Sequence, residues 1–144
     1  KETAPRIMDV SFWAGMNLLQ LITKAKYGNT GTSTVLFSSA ASLTHDKGKF
    51  AYSAAKSAVN AAVCCAAKEI AAKRHRVNSI LPGWTDTPMT QKLGEVNDTD
   101  SVLAAHLLGT GKPEYISRLV LFLLSGASCW ITGSNIVIDG GYSA

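Results

Sequence analysis

The sequence predicts an α/β fold in which helices wind in a right-handed sense around a parallel β-sheet. Helical and strand patterns alternate along its 144 residues in the order helix, strand, helix, strand, helix, strand. The first predicted strand is a short apolar run without polar alternation, which is typical of a strand buried on both faces of a sheet. Glycine or proline closes most of these segments, which separates the elements clearly.

The first half of the chain contains two helices and one strand. Apolar residues recur at helical spacing over residues 3–27, until glycines at 28 and 31 stop the pattern. Residues 33–38 form the β-rich run Ser-Thr-Val-Leu-Phe-Ser, and a polar loop follows them. Residues 50–73 are rich in alanine and lack glycine and proline, which predicts one long helix.

The second half continues the alternation. Residues 76–81 are the next predicted strand and Pro82-Gly83 ends it, because proline cannot donate in a sheet and glycine permits a sharp turn. Residues 85–112 are polar and predict short, mobile helices, which either cover a substrate or pack as a subdomain. Residues 113–124 predict a helix, and residues 134–138 predict the last strand. Three strands make a thin sheet, so the first strand should expose an apolar edge that needs a partner.

Composition limits the possible classes of protein. The chain is 47% hydrophobic and 17% charged, which suits one compact domain but leaves no room for two. No apolar run approaches the roughly 18 residues of a membrane span, so we expect no membrane partner and a cytoplasmic location.

Charge and cysteine content point to neither nucleic acid nor metal. The net charge is +4, but the one dense basic run, residues 73–76, falls where a helix should end, and cations there complement the helix dipole. No aromatic residue is interleaved with that run to stack on bases. Cys64, Cys65 and Cys129 have no metal-ligand spacing and are expected to be reduced.

Three residues form a candidate catalytic set. Tyr52 and Lys56 are four residues apart on the long predicted helix, so their side chains rise from one face. A nearby positive charge favours a phenolate and lowers the pKa of a phenol, which suits proton exchange near neutral pH. Ser39 follows the first strand, at the carboxyl edge of the sheet where ligands of α/β proteins bind. Hydroxyls converging there would stabilise an alkoxide.

These residues belong to an ordered series of motifs. Ser39 precedes the Tyr52-x-x-x-Lys56 pair, Asn-Ser-Ile-Leu-Pro-Gly occupies residues 78–83, and Ile-Thr-Gly and Asp-Gly-Gly follow at residues 131–133 and 139–141. In this order they resemble the short-chain dehydrogenase/reductase family, especially its 3-oxoacyl-ACP-reductase-like members, over essentially the whole chain. The resemblance implies a Rossmann-like, doubly wound parallel sheet, of which residues 1–144 are the C-terminal catalytic half.

The resemblance also implies roles for individual residues. Tyr52 would be the general acid/base, Lys56 would lower its pKa and bind the ribose, and Ser39 would orient the carbonyl. The implied cofactor is NAD or NADP, and the implied substrate is a small carbonyl compound or secondary alcohol, such as a 3-oxoacyl thioester, a ketone or a sugar. The implied cofactor-binding residues are Tyr52, Lys56, Pro82, Gly83, Thr85 and Thr87, with Thr85 acting through its backbone. Related proteins pair helices between subunits, which implies a homodimer or homotetramer.

Two departures from the family pattern stand out. The family's catalytic asparagine, which bends a helix and holds a relay water for the lysine, corresponds here to Ser11. A serine can also bind a water, so either a weakened relay or none is expected. Moreover, these residues contain no Gly-x-x-x-Gly-x-Gly turn, so we expect the N-terminal nucleotide-binding half to be absent. The alternative function is a non-catalytic or regulatory subunit that keeps this fold for assembly.

Overall fold

A computed structural model of the chain describes residues 4–24, 30–96 and 99–144. Its helices are α1 (Ala4–Met8), α2 (Ala14–Ile22), α3 (Ala41–Thr44), α4 (Phe50–Ile70), α5 (Pro88–Val96), α6 (Asp100–Ala104) and α7 (Pro113–Leu124). A π-helical segment, Asp9–Trp13, joins α1 to α2, and short 3-10 turns follow α4 and α7 at Ala71–Lys73 and Gly126–Ser128. The strands are β1 (Ser33–Phe37), β2 (Arg76–Pro82) and β3 (Asn135–Ile138).

The three strands form one parallel sheet in the order β1-β2-β3. The predicted α/β fold and its parallel sheet are therefore confirmed. Strand β2 lies in the centre, and its residues 77–81 are buried. Because β2 is paired on both sides and covered on both faces, even its polar residues Asn78 and Ser79 are buried. Their side chains donate to the Ile131 carbonyl at 3.0 Å and to Oδ1 of Asn135 at 2.5 Å, as buried polar groups require.

Each face of the sheet has its own core. On one face, Val77 of β2 packs against Leu19 of α2 and the apolar side of α4 around Val63. On the other face, Ile80 packs against Ile116 and Leu123 of α7. Since neighbouring strand residues point to opposite faces, Val77 and Ile80 serve different cores. Helices on both faces of the sheet are the doubly wound arrangement expected from the sequence.

Strand β1 is less buried than its sequence predicts. None of its residues is fully buried, and Phe37 keeps 52% of its surface exposed. Val35 packs against one core and Leu36 against the other, so β1 is covered on both faces as predicted, but only in part. The prediction of an apolar edge is confirmed, because within residues 4–24, 30–96 and 99–144 β1 pairs with β2 alone and forms one edge of the sheet. The apolar run is visible in the sequence, but its burial depends on what packs beside it.

Helix ends differ from the predicted ends by a few residues. The first helical region ends at Ile22 instead of residue 27, and residues 25–29 lie outside the described residues. The Thr23 hydroxyl donates to the carbonyl of Gln20 at 3.0 Å, a local bond that competes with helix continuation. Helix α4 ends at Ile70, and the left-handed Arg74 (φ 55°) closes the 3-10 turn after it.

The segment after β2 contains the short helices α5 and α6, as predicted. Helix α7 begins at Pro113. Proline suits this position because it has no N–H, and an N–H at the start of a helix would lack a partner within the helix. Among the described residues, no helix combines the length and apolar character needed to cross a membrane.

Candidate active site

Ser39 lies two residues beyond β1, at the carboxyl edge of the sheet. Its backbone is fixed by its neighbours: Ser38 N–H donates to the carbonyl of Ile80 and Ala40 N–H donates to that of Pro82, both at 2.9 Å. The Ser39 hydroxyl accepts a bond from Ala41 N–H at 3.2 Å. That bond uses a lone pair, so it leaves the hydroxyl proton for another acceptor.

Tyr52 and Lys56 lie one turn apart near the start of α4, as their spacing predicts. The Lys56 ammonium lies 5.6 Å from the centre of the Tyr52 ring and donates to the carbonyl of Phe37 at 2.8 Å. The Ser38 hydroxyl in turn donates to the backbone carbonyl of Lys56 at 2.9 Å. These bonds hold the end of β1 against α4, so Ser39, Tyr52 and Lys56 belong to one corner of the molecule.

Lys56 is partly withdrawn from water. Burial lowers its pKa below the ordinary value of 10.5, because desolvation disfavours the charged form. A lysine whose charge is weakly solvated interacts more strongly with a nearby phenolate than a surface lysine does. The position of Lys56 therefore suits it to stabilise negative charge that develops on Tyr52.

Ser11 occupies the middle of the π-helical segment Asp9–Trp13. Such single-turn widenings of a helix often mark functional sites, because they re-aim side chains and backbone groups. Ser11 and Lys56 line the same cleft, which has a volume of about 210 Å³ and also reaches Phe37 at the end of β1. The structure thus brings the residue at the asparagine position to the cleft that contains the lysine.

The turn after β2 is closely packed. Gly83 N–H donates to the carbonyl of Ile138 at 3.1 Å. A Cβ at position 83 would lie 2.6 Å from Nε2 of His106 and 2.8 Å from both Cα and Cβ of Asp139, so only glycine fits there. Trp84 and Thr85 follow Gly83, and all three line a second cleft of about 170 Å³. Pro82 contributes its carbonyl to Ala40, which ties this turn to the Ser39 segment.

Thr87 marks the beginning of α5. Thr90 N–H donates to the Thr87 hydroxyl at 3.3 Å, and Thr87 N–H donates to the Thr90 hydroxyl at 2.9 Å, a reciprocal pattern that caps the helix. The Thr90 hydroxyl also donates to the carbonyl of Thr85 at 2.6 Å. The hydroxyls of Thr87 and Thr90 are therefore already used to fix the shape of the segment that follows Gly83.

Sequence reasoning missed three residues beside this turn. His106, which is only 4% exposed, accepts a bond from Trp84 N–H at Nε2, at 2.8 Å. Tyr142 stacks on the His106 ring, and Asp139 accepts bonds from Gly141 N–H and from the Ser143 hydroxyl. Isolated polar residues far apart in the sequence carry no periodic signal, so only the folded chain shows that they meet.

No group of three or more histidine, cysteine, aspartate or glutamate side chains is placed to hold a metal ion within residues 4–24, 30–96 and 99–144. Cys64, Cys65 and Cys129 are free thiols.

Comparison with known proteins finds reductases and dehydrogenases among the proteins that this chain resembles. Residues 1–143 match the family described as enoyl-(acyl carrier protein) reductase. The 3-oxoacyl-(acyl-carrier-protein) reductase FabG of Thermotoga maritima is 33% identical over 135 residues, which cover 94% of this chain and 55% of that protein. The chain therefore spans about half the length of the curated relatives it matches.

Two solved structures have a similar fold over nearly the whole chain. A 4-hydroxyisoleucine dehydrogenase complexed with NADH superposes with a TM-score of 0.88 at 29% identity, covering 97% of this chain and 59% of that one. The angucycline C-6 ketoreductase LanV, solved with bound NADP, superposes with a TM-score of 0.85 over 99% of this chain and 56% of its own. At 23% identity, the second similarity concerns the fold alone.

Proposed function

Because the chain belongs to the short-chain dehydrogenase/reductase family, we propose that the protein is an oxidoreductase that moves a hydride between NAD or NADP and a small carbonyl compound or secondary alcohol. One observation carries this proposal: the ammonium of Lys56 lies 5.6 Å from the Tyr52 ring, beside a serine fixed at the carboxyl edge of the sheet. That combination provides a proton donor, a charge that stabilises its conjugate base, and a second hydroxyl for the same substrate oxygen.

The residues present fit the nicotinamide end of such a cofactor. The Lys56 ammonium is a suitable donor for ribose hydroxyls. Gly83 and Thr85, which follow Pro82 in the turn after β2, line a cleft of about 170 Å³ in which the carboxamide would lie. Thr87 begins α5 just beyond that turn, at the positive end of the helix dipole. A glycine-rich phosphate cradle is not among these 144 residues, so the complete activity also requires residues that provide one.

The bound cofactor would supply or accept the hydride. In the direction of carbonyl reduction, Tyr52 donates its phenolic proton to the carbonyl oxygen of the substrate as negative charge develops there. Ser39 donates a hydrogen bond to the same oxygen and holds it in place. Lys56 stabilises the phenolate that Tyr52 becomes, because a cation beside an anion favours the charged form. In the direction of alcohol oxidation, the Tyr52 phenolate accepts the hydroxyl proton.

Ser11 completes the proposed set. It lines the same cleft as Lys56, within a widened helical turn, which supports a role in returning protons from solvent to the lysine. A serine hydroxyl is shorter than an asparagine amide, so a water between Ser11 and Lys56 would carry part of this path. The shared cleft therefore favours a weakened proton relay through Ser11 over the complete loss of that relay.

The decisive experiment replaces Tyr52 by phenylalanine in the protein that carries this chain. The ring stays and only the hydroxyl is removed, so NAD(P)H binding should be retained while kcat falls by about 10²–10⁴-fold, the usual contribution of a general acid. Ser117, which is exposed on α7 and lines neither cleft, provides the control through Ser117→Ala, which also removes a single hydroxyl and should leave kcat unchanged. Unchanged turnover in Tyr52→Phe would contradict the proposal. Failure of the unaltered protein to bind either nucleotide would favour the non-catalytic alternative.

A further inference from the structure

Three residues that are far apart in the sequence form a continuous set of contacts, here called the histidine–tyrosine bridge: Asp46, His106 and Tyr142. The His106 and Tyr142 rings are stacked, with centres 4.5 Å apart and planes 10° from parallel. The Tyr142 hydroxyl donates to Oδ1 of Asp46 at 2.9 Å. Because His106 also accepts from Trp84 N–H, the bridge joins the turn after β2 to the loop between Ser39 and Tyr52.

The hydrogen bonds of His106 give each ring nitrogen a different role. Nδ1 lies 2.7 Å from the carbonyl of Val102, and since a carbonyl only accepts, this nitrogen is the donor. Nε2 accepts the Trp84 N–H at 2.8 Å. His106 is therefore the side chain that satisfies the backbone N–H of Trp84.

Polar and charged groups flank the two stacked rings. Asp139 lies at the end of β3, and its carboxylate accepts from Gly141 N–H, Ser143 N–H and the Ser143 hydroxyl. Beyond Tyr142, Asp46 is paired with Lys49 at 2.7 Å. Burial raises the pKa of Tyr142, and its bond to Asp46 raises it further, so Tyr142 stays a donor. The Trp84 N–H and the Asp46 carboxylate are thus the two groups that the bridge holds.

From these contacts we infer that His106 and Tyr142 are positioning residues for the proposed reaction: the acceptor that His106 offers to Trp84 N–H holds the turn after β2 in the shape that binds the cofactor. The inference rests on the proposed function, because it takes the turn at residues 83–85 as the part that meets the nicotinamide. His106 fixes the backbone of that turn. Tyr142 fixes Asp46, and with it the loop that leads from Ser39 to Tyr52.

The first test separates the hydrogen bond of His106 from its bulk. His106→Gln keeps an acceptor, whereas His106→Leu keeps bulk but removes the acceptor. The Kd for NAD⁺ and for NADP⁺ would be measured by calorimetry. For the nucleotide that the unaltered protein binds more tightly, His106→Leu should raise the Kd by about tenfold, the effect of losing one hydrogen bond to a buried group. His106→Gln should recover most of that loss, because its amide oxygen can accept from Trp84 N–H.

His75 provides the matched control. It is also buried, and its Nδ1 accepts from Thr32 N–H at 3.2 Å, but it lies just before β2 at the opposite end of that strand from the turn. His75→Leu removes an acceptor of the same kind and should keep the Kd of the unaltered protein. A Kd in His106→Leu that matches the unaltered protein would overturn the inference, as would a Kd in His106→Gln as high as that of His106→Leu.

A second readout needs no cofactor. Long-range ¹H–¹⁵N spectra of the protein alone should show the proton of His106 on Nδ1, and a downfield Trp84 amide that shifts in His106→Leu and much less in His106→Gln. If the proton is instead on Nε2, the bridge is wrong even where the enzyme is active. If these spectra agree and neither nucleotide binds, the proposed function fails and the positioning role fails with it. If nucleotides bind with a Kd indifferent to His106, the positioning role fails alone.

Tyr142→Phe tests the other half of the bridge. It keeps the ring on His106 and removes only the bond to Asp46. We expect kcat to fall by about two- to tenfold with the cofactor Kd unchanged, as for loss of a single hydrogen bond that holds a catalytic loop. A kcat equal to that of the unaltered protein would remove Tyr142 from the proposal.

Discussion

The two sides of the site differ in how far apart in the sequence their contacting residues lie. On the catalytic side, Lys56 is one helical turn from Tyr52 and meets Ser38 across 18 residues. On the turn side, Trp84 meets His106 across 22 residues and Asp46 meets Tyr142 across 96. The comparison teaches that the proposed proton donor and its charged partner come from the spacing within one helix, whereas the contacts named on the turn side need separate segments to meet. Substitutions on the first side should change the chemistry, and those on the second should change stability or positioning.

The largest expected effect is on the catalytic side. Lys56→Met removes the ammonium and keeps most of the side-chain volume, so kcat should fall by about 10²-fold or more while the fold is retained. Lys68→Met, on the exposed side of the same helix, is the control and should leave kcat unchanged. Steady-state kinetics together with thermal unfolding would measure both. A Lys56→Met enzyme with normal kcat would mean that the ammonium does not assist Tyr52.

A smaller effect, on stability and not on catalysis, is expected at the turn after β2. Gly83→Ala places a Cβ within 2.8 Å of the Asp139 backbone, which cannot move aside as a flexible side chain would. The free energy of unfolding should fall by about 1–3 kcal/mol, the usual cost of overpacking. Gly126→Ala is the control, because a Cβ at position 126 meets nothing within 4 Å. Urea unfolding of both variants would show whether the turn is as tightly enclosed as its contacts indicate. Equal stabilities would contradict this.

The smallest expected effect is a pH dependence of stability at Asp46. Burial raises the pKa of this carboxyl, but hydrogen bonds from Lys49, Thr44 and Tyr142 and the Lys49 charge outweigh burial, so the pKa lies below its ordinary value of 3.8. A group with a lowered folded-state pKa stabilises the fold above its unfolded-state value, and this contribution is lost as the pH falls through the folded-state value. Asp46→Asn should therefore cost about 0.5–1 kcal/mol at pH 7 and almost nothing in strong acid.

Urea unfolding of Asp46→Asn and of the unaltered protein, between about pH 7 and about pH 3, would measure that difference. Asp86→Asn is the matched control. Asp86 is exposed and accepts a bond from Gln91 at 2.8 Å, which an asparagine can also accept. A stability difference for Asp46→Asn that stays constant down to pH 3 would show that the Asp46 charge contributes nothing.

The sequence by itself determined the alternation of helices and strands, the parallel sheet and the pairing of Tyr52 with Lys56. These features depend on hydrophobic periodicity and on helical spacing. Both are set by the order of residues within a single helix or strand. The ordered motifs also identified the family. Each of these signals is local, or is a series of local signals in a fixed order, so it can be read without knowledge of the folded chain.

Burial, helix ends and the contacts between distant segments were decided only by the tertiary structure. The exposure of Phe37 depends on what lies beside β1, and the end of the first helical region at Ile22 depends on a side-chain bond that competes with the helix. The contacts of His106 with Trp84 and Tyr142 depend on how segments far apart in the sequence are brought together. A buried polar residue is placed by the partners that satisfy it, and those partners are known only when the chain is folded.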